Sequence, residues 1–230
     1  MTYNSSLERA GGGVVQPAKS DEKPEDLKRH MLAANSEGYR AQAIADGIPL
    51  RQHGLFAPDD ALLTELASSP DLHPFEKHLP GASRSYETLP IGGWTTGDAA
   101  AQRGLDLRLF YQNPAPGEQY GTLKGVLRYA ESACIGTGLW TSVHGGAIES
   151  ALDEATAELA KMVYVPLAST VDITFKIRKA VPPCTTLLVE CRVKEQKGIR
   201  LWVEGSIKPA EGGLPLATCE AVLADLRQFL

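Results

Sequence analysis

The chain has 230 residues, 23 Lys and Arg against 28 Asp and Glu, and a formal charge of −5. That length can bury a substantial hydrophobic core, and 43% apolar residues exclude a disordered chain. The acidic balance argues against a nucleic-acid binder, and no apolar run reaches the roughly 18–20 residues of a membrane-spanning helix.

Residues 1–20 carry Gly11-Gly12-Gly13 and little apolar content, which predicts a mobile tail. Leu27, Met31 and Ala34 recur at helical spacing between about Asp21 and Ala45, and Pro24 suits a first turn. A second short helix is expected from near Pro58. Asp59 and Asp60 favour its positive end, and Leu62, Leu63 and Leu66 form its apolar face. Residues 67–101, rich in Pro, Gly and Ser, read as connecting loop. The expected division is 1–84, a tail with a helical extension, and 85–230, a larger domain.

Leu105, Leu107 and Leu109 alternate with Asp106, Arg108 and Phe110, which predicts a strand with one apolar face. A turn at Asn113-Pro114-Ala115-Pro116-Gly117 leads to a second strand-like run, Tyr120 to Tyr129. A helix is expected from about His144 to Val163. Four more strand-like runs follow, at 171–177, 187–194, 200–208 and 216–226, separated by Pro- or Gly-containing turns. The predicted order is strand, strand, long helix, four strands. Apolar alternation on every strand points to an α+β fold, an antiparallel sheet with one face covered by the helix.

Cys134, Cys184, Cys191 and Cys219 include no Cys-x-x-Cys pair, so neither a zinc knuckle nor a redox motif is expected. Met1 to Gly13 lacks the apolar centre of a secretory signal and is poor in arginine. Both observations point to a reducing compartment, cytoplasm or organelle matrix, without secretion. His30, His53, His73 and His78 are scattered, and no metal site is expected.

The stretch from Val143 to Asp153 carries the chemistry. Ile148, Leu152, Ala155, Leu159 and Val163 form the expected buried stripe. Asp153 falls off that stripe among Ser150, Thr156, Ala157 and Ala160, all small, while Glu154, Glu158 and Lys161 read as solvated. A carboxylate amid small side chains suits close approach of a ligand or another protein surface; the alternative is an ordinary exposed aspartate. Gly145 and Gly146 open the helix, where amides unobstructed by Cβ can face an anion or a polarised carbonyl. Eight residues separate Gly145 from Asp153, about 12 Å along a helix, so the two cannot touch one carbonyl within one subunit. Two such helices antiparallel across a twofold axis would bring Asp153 of one to Gly145 of the other.

At these residues the chain resembles the hotdog-fold acyl-CoA thioesterases, above all the branch of the phenylacetyl-CoA type and the animal thioesterase-superfamily-member group. The resemblance spans about Leu105 to Leu226. It rests on His144-Gly145-Gly146 followed by Asp153, and on Ser169-Thr170-Val171-Asp172-Ile173-Thr174 after the helix. It implies a curved sheet wrapped around the helix and pairing into homodimers or dimers of dimers. It implies a thioester substrate on coenzyme A or acyl carrier protein, with no cofactor beyond the coenzyme A of the substrate itself. The Gly145 amide would polarise the thioester carbonyl, with Gly146 beside it. Asp153 would act as general base on water or as nucleophile. Thr170 would help place the water, with Ser169 a neighbouring substitute, and His144 would shape the oxyanion site and hydrogen-bond the substrate. The bacterial phenylacetyl-CoA type often has an asparagine where this chain has Gly138, which leans toward the animal-like branch. Residues 1–84 have no counterpart in the resemblance.

Lys176, Arg178, Lys179 and Arg200 are candidate contacts for coenzyme A phosphates, or simply solvated strand residues. Ser142, His144 and Asp153 offer triad residue types, but no Gly-x-Ser-x-Gly elbow is present. Trp94 and Trp140 could line an acyl pocket or serve packing alone. Two rival readings are a hotdog enoyl-thioester hydratase, whose usual His-Phe-Pro context is absent, and a non-catalytic protein that binds acyl-CoA or a protein partner.

Overall fold

The computed structural model describes residues 54–75, 96–98, 103–136, 141–165 and 168–225. The elements are α1 (Ala61–Ser68), β1 (Leu72–Phe75), β2 (Thr96–Asp98), β3 (Arg103–Gln112), β4 (Thr122–Tyr129), β5 (Cys134–Ile135) and β6 (Ser142–Val143). They continue with α2 (Gly145–Val163), β7 (Ala168–Ile177), β8 (Thr186–Lys197), β9 (Arg200–Pro209) and β10 (Ala217–Asp225). The expected helix within 21–45, Trp94 and Trp140 lie outside the described residues.

The main sheet is antiparallel, in the order β1-β3-β4-β8-β9-β10-β7, with β2 also pairing with β3. β7 leaves α2 and crosses to the far edge beside β10, while β8 returns to pair with β4. α2 lies against β3, β4, β7, β8, β9 and β10. Strands sit about 4.8 Å apart and a helix is about 10 Å wide, so contact with six strands requires a sheet curled around the helix. This is the hotdog arrangement, and the order strand, strand, long helix, four strands is present as expected.

One row of side chains explains how the helix fits. Tyr111, Leu123, Cys191, Gly205, Cys219 and Phe175 are successive register partners across six strands. Large residues stand at both ends of that row and small ones in the middle, so the sheet offers a trough. A Cβ on Gly205 would lie 2.8 Å from Cys219 Sγ, 3.1 Å from Thr156 Cγ2 and 3.3 Å from Leu152 Cδ2. Thr156 and Leu152 belong to α2, so the helix comes this close only because position 205 has no side chain. Ile148, Leu152, Ala155 and Leu159 are buried as the stripe predicts, and Val163 is half-buried. Glu158 departs from expectation: it is buried, and its Oε1 accepts from Lys161 Nζ at 2.6 Å.

The outer face of the sheet is covered over part of its width. Leu62, Leu63 and Leu66 of α1 are buried with Phe110 of β3 and Val126 of β4, and Leu188 of β8 packs against them. Asp60 caps α1, accepting the Leu63 amide at 3.0 Å on one oxygen and the Thr186 hydroxyl on the other. The helix is thereby tied to the start of β8.

Two sequence expectations are corrected here. Residues 67–101 are not all loop, because β1 and β2 lie within them and both join β3. β3 does not have one apolar face and one wet face, because Asp106, Arg108 and Phe110 are buried as well. Asp106 accepts from Arg108 Nε at 2.7 Å, from Arg108 Nη2 at 3.0 Å and from the Leu55 amide at 2.9 Å. The two charges neutralise each other under the segment at Gly54 and Leu55, which is how a charged pair comes to lie away from water. A Cβ on Gly54 would fall 1.9 Å from Asp106 Oδ2, so any side chain there would have to displace the ion pair.

Gly205→Ala is expected to destabilise the fold by about 1–3 kcal/mol, the usual cost of overpacking a filled core. Urea unfolding measures it, and unchanged stability would contradict the close approach of α2.

Candidate active site

Asp153 stands in the middle of α2 on the side facing β7, half-buried. Its Oδ1 accepts a hydrogen bond from Thr170 Oγ1 at 2.7 Å. A local irregularity brings Thr170 there. On β7, Ile173 and Phe175 pair with Ala221 and Cys219, and both pack on the core around the helix. Strict alternation would give Val171 and Ser169 that face. The register instead shifts between Val222 and Leu223, so that Thr170 pairs with the core residue Leu223. This bulge turns the hydroxyl toward Asp153. Ser169, opposite Ala224, is turned the other way by the same alternation.

The start of α2 is the second part of the site. His144 is the N-cap, and its Nδ1 accepts from the Gly146 amide at 3.0 Å. A neutral imidazole with Nδ1 as acceptor carries its proton on Nε2, which leaves an N–H donor on an exposed ring. The Gly146 amide, expected beside the substrate, is thus occupied by His144. The Gly145 amide has no acceptor among the described residues. Two backbone bonds fix this corner: the His144 amide donates to the Ala133 carbonyl at 2.8 Å and the Val143 amide to the Val181 carbonyl at 3.0 Å. A Cβ on Gly145 would lie 3.4 Å from Ile177 Cδ1. Ile177 is 48% exposed, an apolar wall beside the free amide that the sequence marked only as one more alternating strand residue. β7 therefore runs antiparallel to α2, with Thr170 at Asp153 and Ile177 at Gly145.

The structure brings Asp153 to Thr170 and His144 to Gly145 and Gly146, but it keeps the two groups apart within one chain, about 12 Å along the helix. Lys176 and Arg178 lie elsewhere. They line an open groove of about 710 Å³ on the sheet face turned away from α2, together with Lys124, Arg192 and Lys208. Arg192 pairs with Glu204 at 2.7 Å and Lys208 with Glu190, whereas Lys124, Lys176 and Arg178 have no carboxylate partner among the described residues. Lys179 is exposed beyond the end of β7. Ser142, weighed as a triad hydroxyl, donates to the Val181 and Val143 carbonyls instead. Sequence reasoning did not connect Cys219 with the site. Its thiol is pushed up to about 12 by burial, a bond with the Gly205 backbone opposes this, and the Asp153 charge adds to it. It stays neutral beside the carboxylate.

No family model and no curated protein sequence matches the chain. Solved structures do, at low identity. Zebrafish thioesterase superfamily member 2 is 14% identical over 51% of this chain and 80% of its own length, with a TM-score of 0.42. A phenylacetic acid degradation-related protein of Ralstonia eutropha JMP134 is 16% identical over 50% of this chain and 82% of its own, with a TM-score of 0.41. BH2602 of Bacillus halodurans, solved with CoA, is 20% identical over 50% and 71%, with a TM-score of 0.39. These are remote likenesses, and the hotdog assignment stands on the strand order and the wrapped helix themselves.

The Asp153–Thr170 bond makes a measurable prediction. In a double-mutant cycle with Asp153→Ala and Thr170→Val, urea unfolding should show a coupling of about 1.5–3 kcal/mol, the scale of one hydrogen bond to a charged group. Additive effects would mean that the two side chains do not interact.

Proposed function

We propose that this protein is a thioesterase, hydrolysing an acyl thioester of coenzyme A, or of acyl carrier protein, to a free acid and a thiol. The observation that carries the reading is a half-buried carboxylate, held by a threonine hydroxyl, on the same helix as an unpaired N-terminal amide. Thr170 occupies one oxygen of Asp153 and leaves the other to accept a proton from water. The water oxygen attacks the thioester carbon, and the carbonyl oxygen gains negative charge. The Gly145 amide and the His144 Nε2–H are suited to meet that charge. Collapse of the tetrahedral intermediate breaks the C–S bond, and the thiolate takes a proton from Asp153. Asp153 as nucleophile uses the same groups through an anhydride that water then opens.

This reading requires two copies of the chain, and β7 supports how they would meet. β7 is a ten-residue edge strand, and its unpaired backbone groups are a template for pairing with another chain. Antiparallel pairing of two β7 strands centred on Thr174, with the bulge at Val171 taking up one residue, sets Thr170 of one copy opposite Ile177 of the other. Asp153 of the first copy would then face Gly145 of the second. The distance that separates them within a chain becomes a short gap across the twofold axis.

Asp153→Asn should lower thiol release from a panel of acyl-CoAs by about 100-fold or more, the range for a lost general base. Full turnover by that variant, or none by the wild type on any acyl chain, would refute the assignment. Sedimentation should find a dimer as the active species; an active monomer would remove the composite site.

A further inference from the structure

The proposed chemistry leaves all four thiols unused, and all four are free. Cys191 and Cys219 are buried in the trough with Gly205 between them. Strands two apart are separated by about 9.6 Å, beyond the roughly 7 Å between Cα atoms that a disulfide can span. Cys134 and Cys184 are different. Both are half-buried and reachable from solvent. They hang on consecutive carbonyls at the end of β4: Cys134 Sγ lies 3.6 Å from the Ala130 oxygen, and the Cys184 amide donates to the Tyr129 oxygen at 3.1 Å. The thiols are in electrostatic reach of each other, since the Cys134 pKa is raised by burial, then by Cys184, then by Glu131. Cys184 also has a φ of 52°, and it is the one non-glycine residue in the left-handed region among the described residues. A residue held there against its preference is a familiar mark of a functional position.

The segments that carry these thiols are the two that hold the start of α2. Ala133, whose carbonyl accepts the His144 amide, directly precedes Cys134. Cys134 is itself the register partner of Val143. Val181, whose carbonyl accepts the Val143 amide, lies three residues before Cys184 across Pro182-Pro183. Whatever joins the two thiols joins both sides of the corner that presents His144 and Gly145.

We propose that Cys134 and Cys184 are a redox-responsive pair that closes as an intramolecular disulfide and tightens the clamp on the N-terminus of α2. The oxidant is a low-molecular-weight disulfide of the glutathione type. Cys184 loses its proton to solvent and attacks one sulfur of that disulfide; the S–S bond breaks and one small thiolate leaves. Cys134 then loses its proton and attacks the Cys184 sulfur, releasing the second small thiolate. Two protein thiols are oxidised by two electrons, and one small disulfide is reduced to two thiols that take up the two protons.

The test uses the full chain equilibrated in mixtures of reduced and oxidised glutathione, acid-quenched, alkylated and mapped by peptide mass spectrometry. Oxidation should link the peptides of Cys134 and Cys184, reversibly, with Cys191 and Cys219 alkylated only after unfolding. Persistent separate glutathione adducts on either thiol, a link between chains, or full alkylation of both under oxidising conditions would overturn the pair. Hydrogen exchange tests the clamp: the amides of Val143 and His144, which donate to the two anchoring carbonyls, should exchange severalfold more slowly in the oxidised wild type. They should not respond in Cys134→Ser or in Cys184→Gly, the latter suited to the left-handed backbone. Unchanged exchange in a linked wild type would overturn the clamp. Neither readout depends on thioester hydrolysis, so the pair stands or falls apart from the proposed function.

Discussion

The fold depends on how closely a 19-residue helix can settle into its sheet. A helix that meets six strands must lie at the bottom of a curve, and the bottom must be empty of side chains at one point. The row from Tyr111 to Phe175 arranges this by grading residue size, large at the rims and small at Cys191, Gly205 and Cys219. The depth of the trough then decides everything around it. A helix raised by the width of a methyl group would lift Asp153 away from β7 and draw the start of α2 off its two carbonyl anchors.

The candidate site lies where the curved sheet ends. The inner strands bury the helix on apolar contacts, but β7 is an edge, so the flank of α2 beside it is only partly covered. Asp153 and Gly145 both stand on that flank, half in contact with protein. A carboxylate deeper in the core would be desolvated without a partner, and one farther out would compete with bulk water. The bulge at the beginning of β7 supplies the one hydroxyl that such a half-covered carboxylate needs. It does so by breaking strand alternation over a single residue and restoring it at once.

Much of this was legible in the residues. The period of Ile148, Leu152, Ala155 and Leu159 placed α2, with Gly145 and Gly146 at its start. Six strands showed alternation long enough to read. β1 did not, since Leu72-His73-Pro74-Phe75 is short and carries a proline, which only an edge position tolerates. Asp106 and Arg108 misled for another reason: charge signals water when a residue is considered singly, yet two opposite charges two positions apart share a strand face and satisfy each other. Glu158 misled likewise, its partner Lys161 being one helical turn away. The site was half legible. Asp153 stood out against small neighbours, but the inward turn of Thr170 depends on its register with β10, which no local pattern encodes.

The cover formed by α1 has a consequence for how much of the chain is needed for the fold. A chain started at residue 85 would keep α2 and the strands from β2 onward. It would also leave Phe110, Val126 and Leu188 facing water as one greasy strip, and Asp106 without the Leu55 amide. Topology alone would name that shorter piece complete; wetting says otherwise. The smallest folded unit of this protein is set by what shields the back of its sheet.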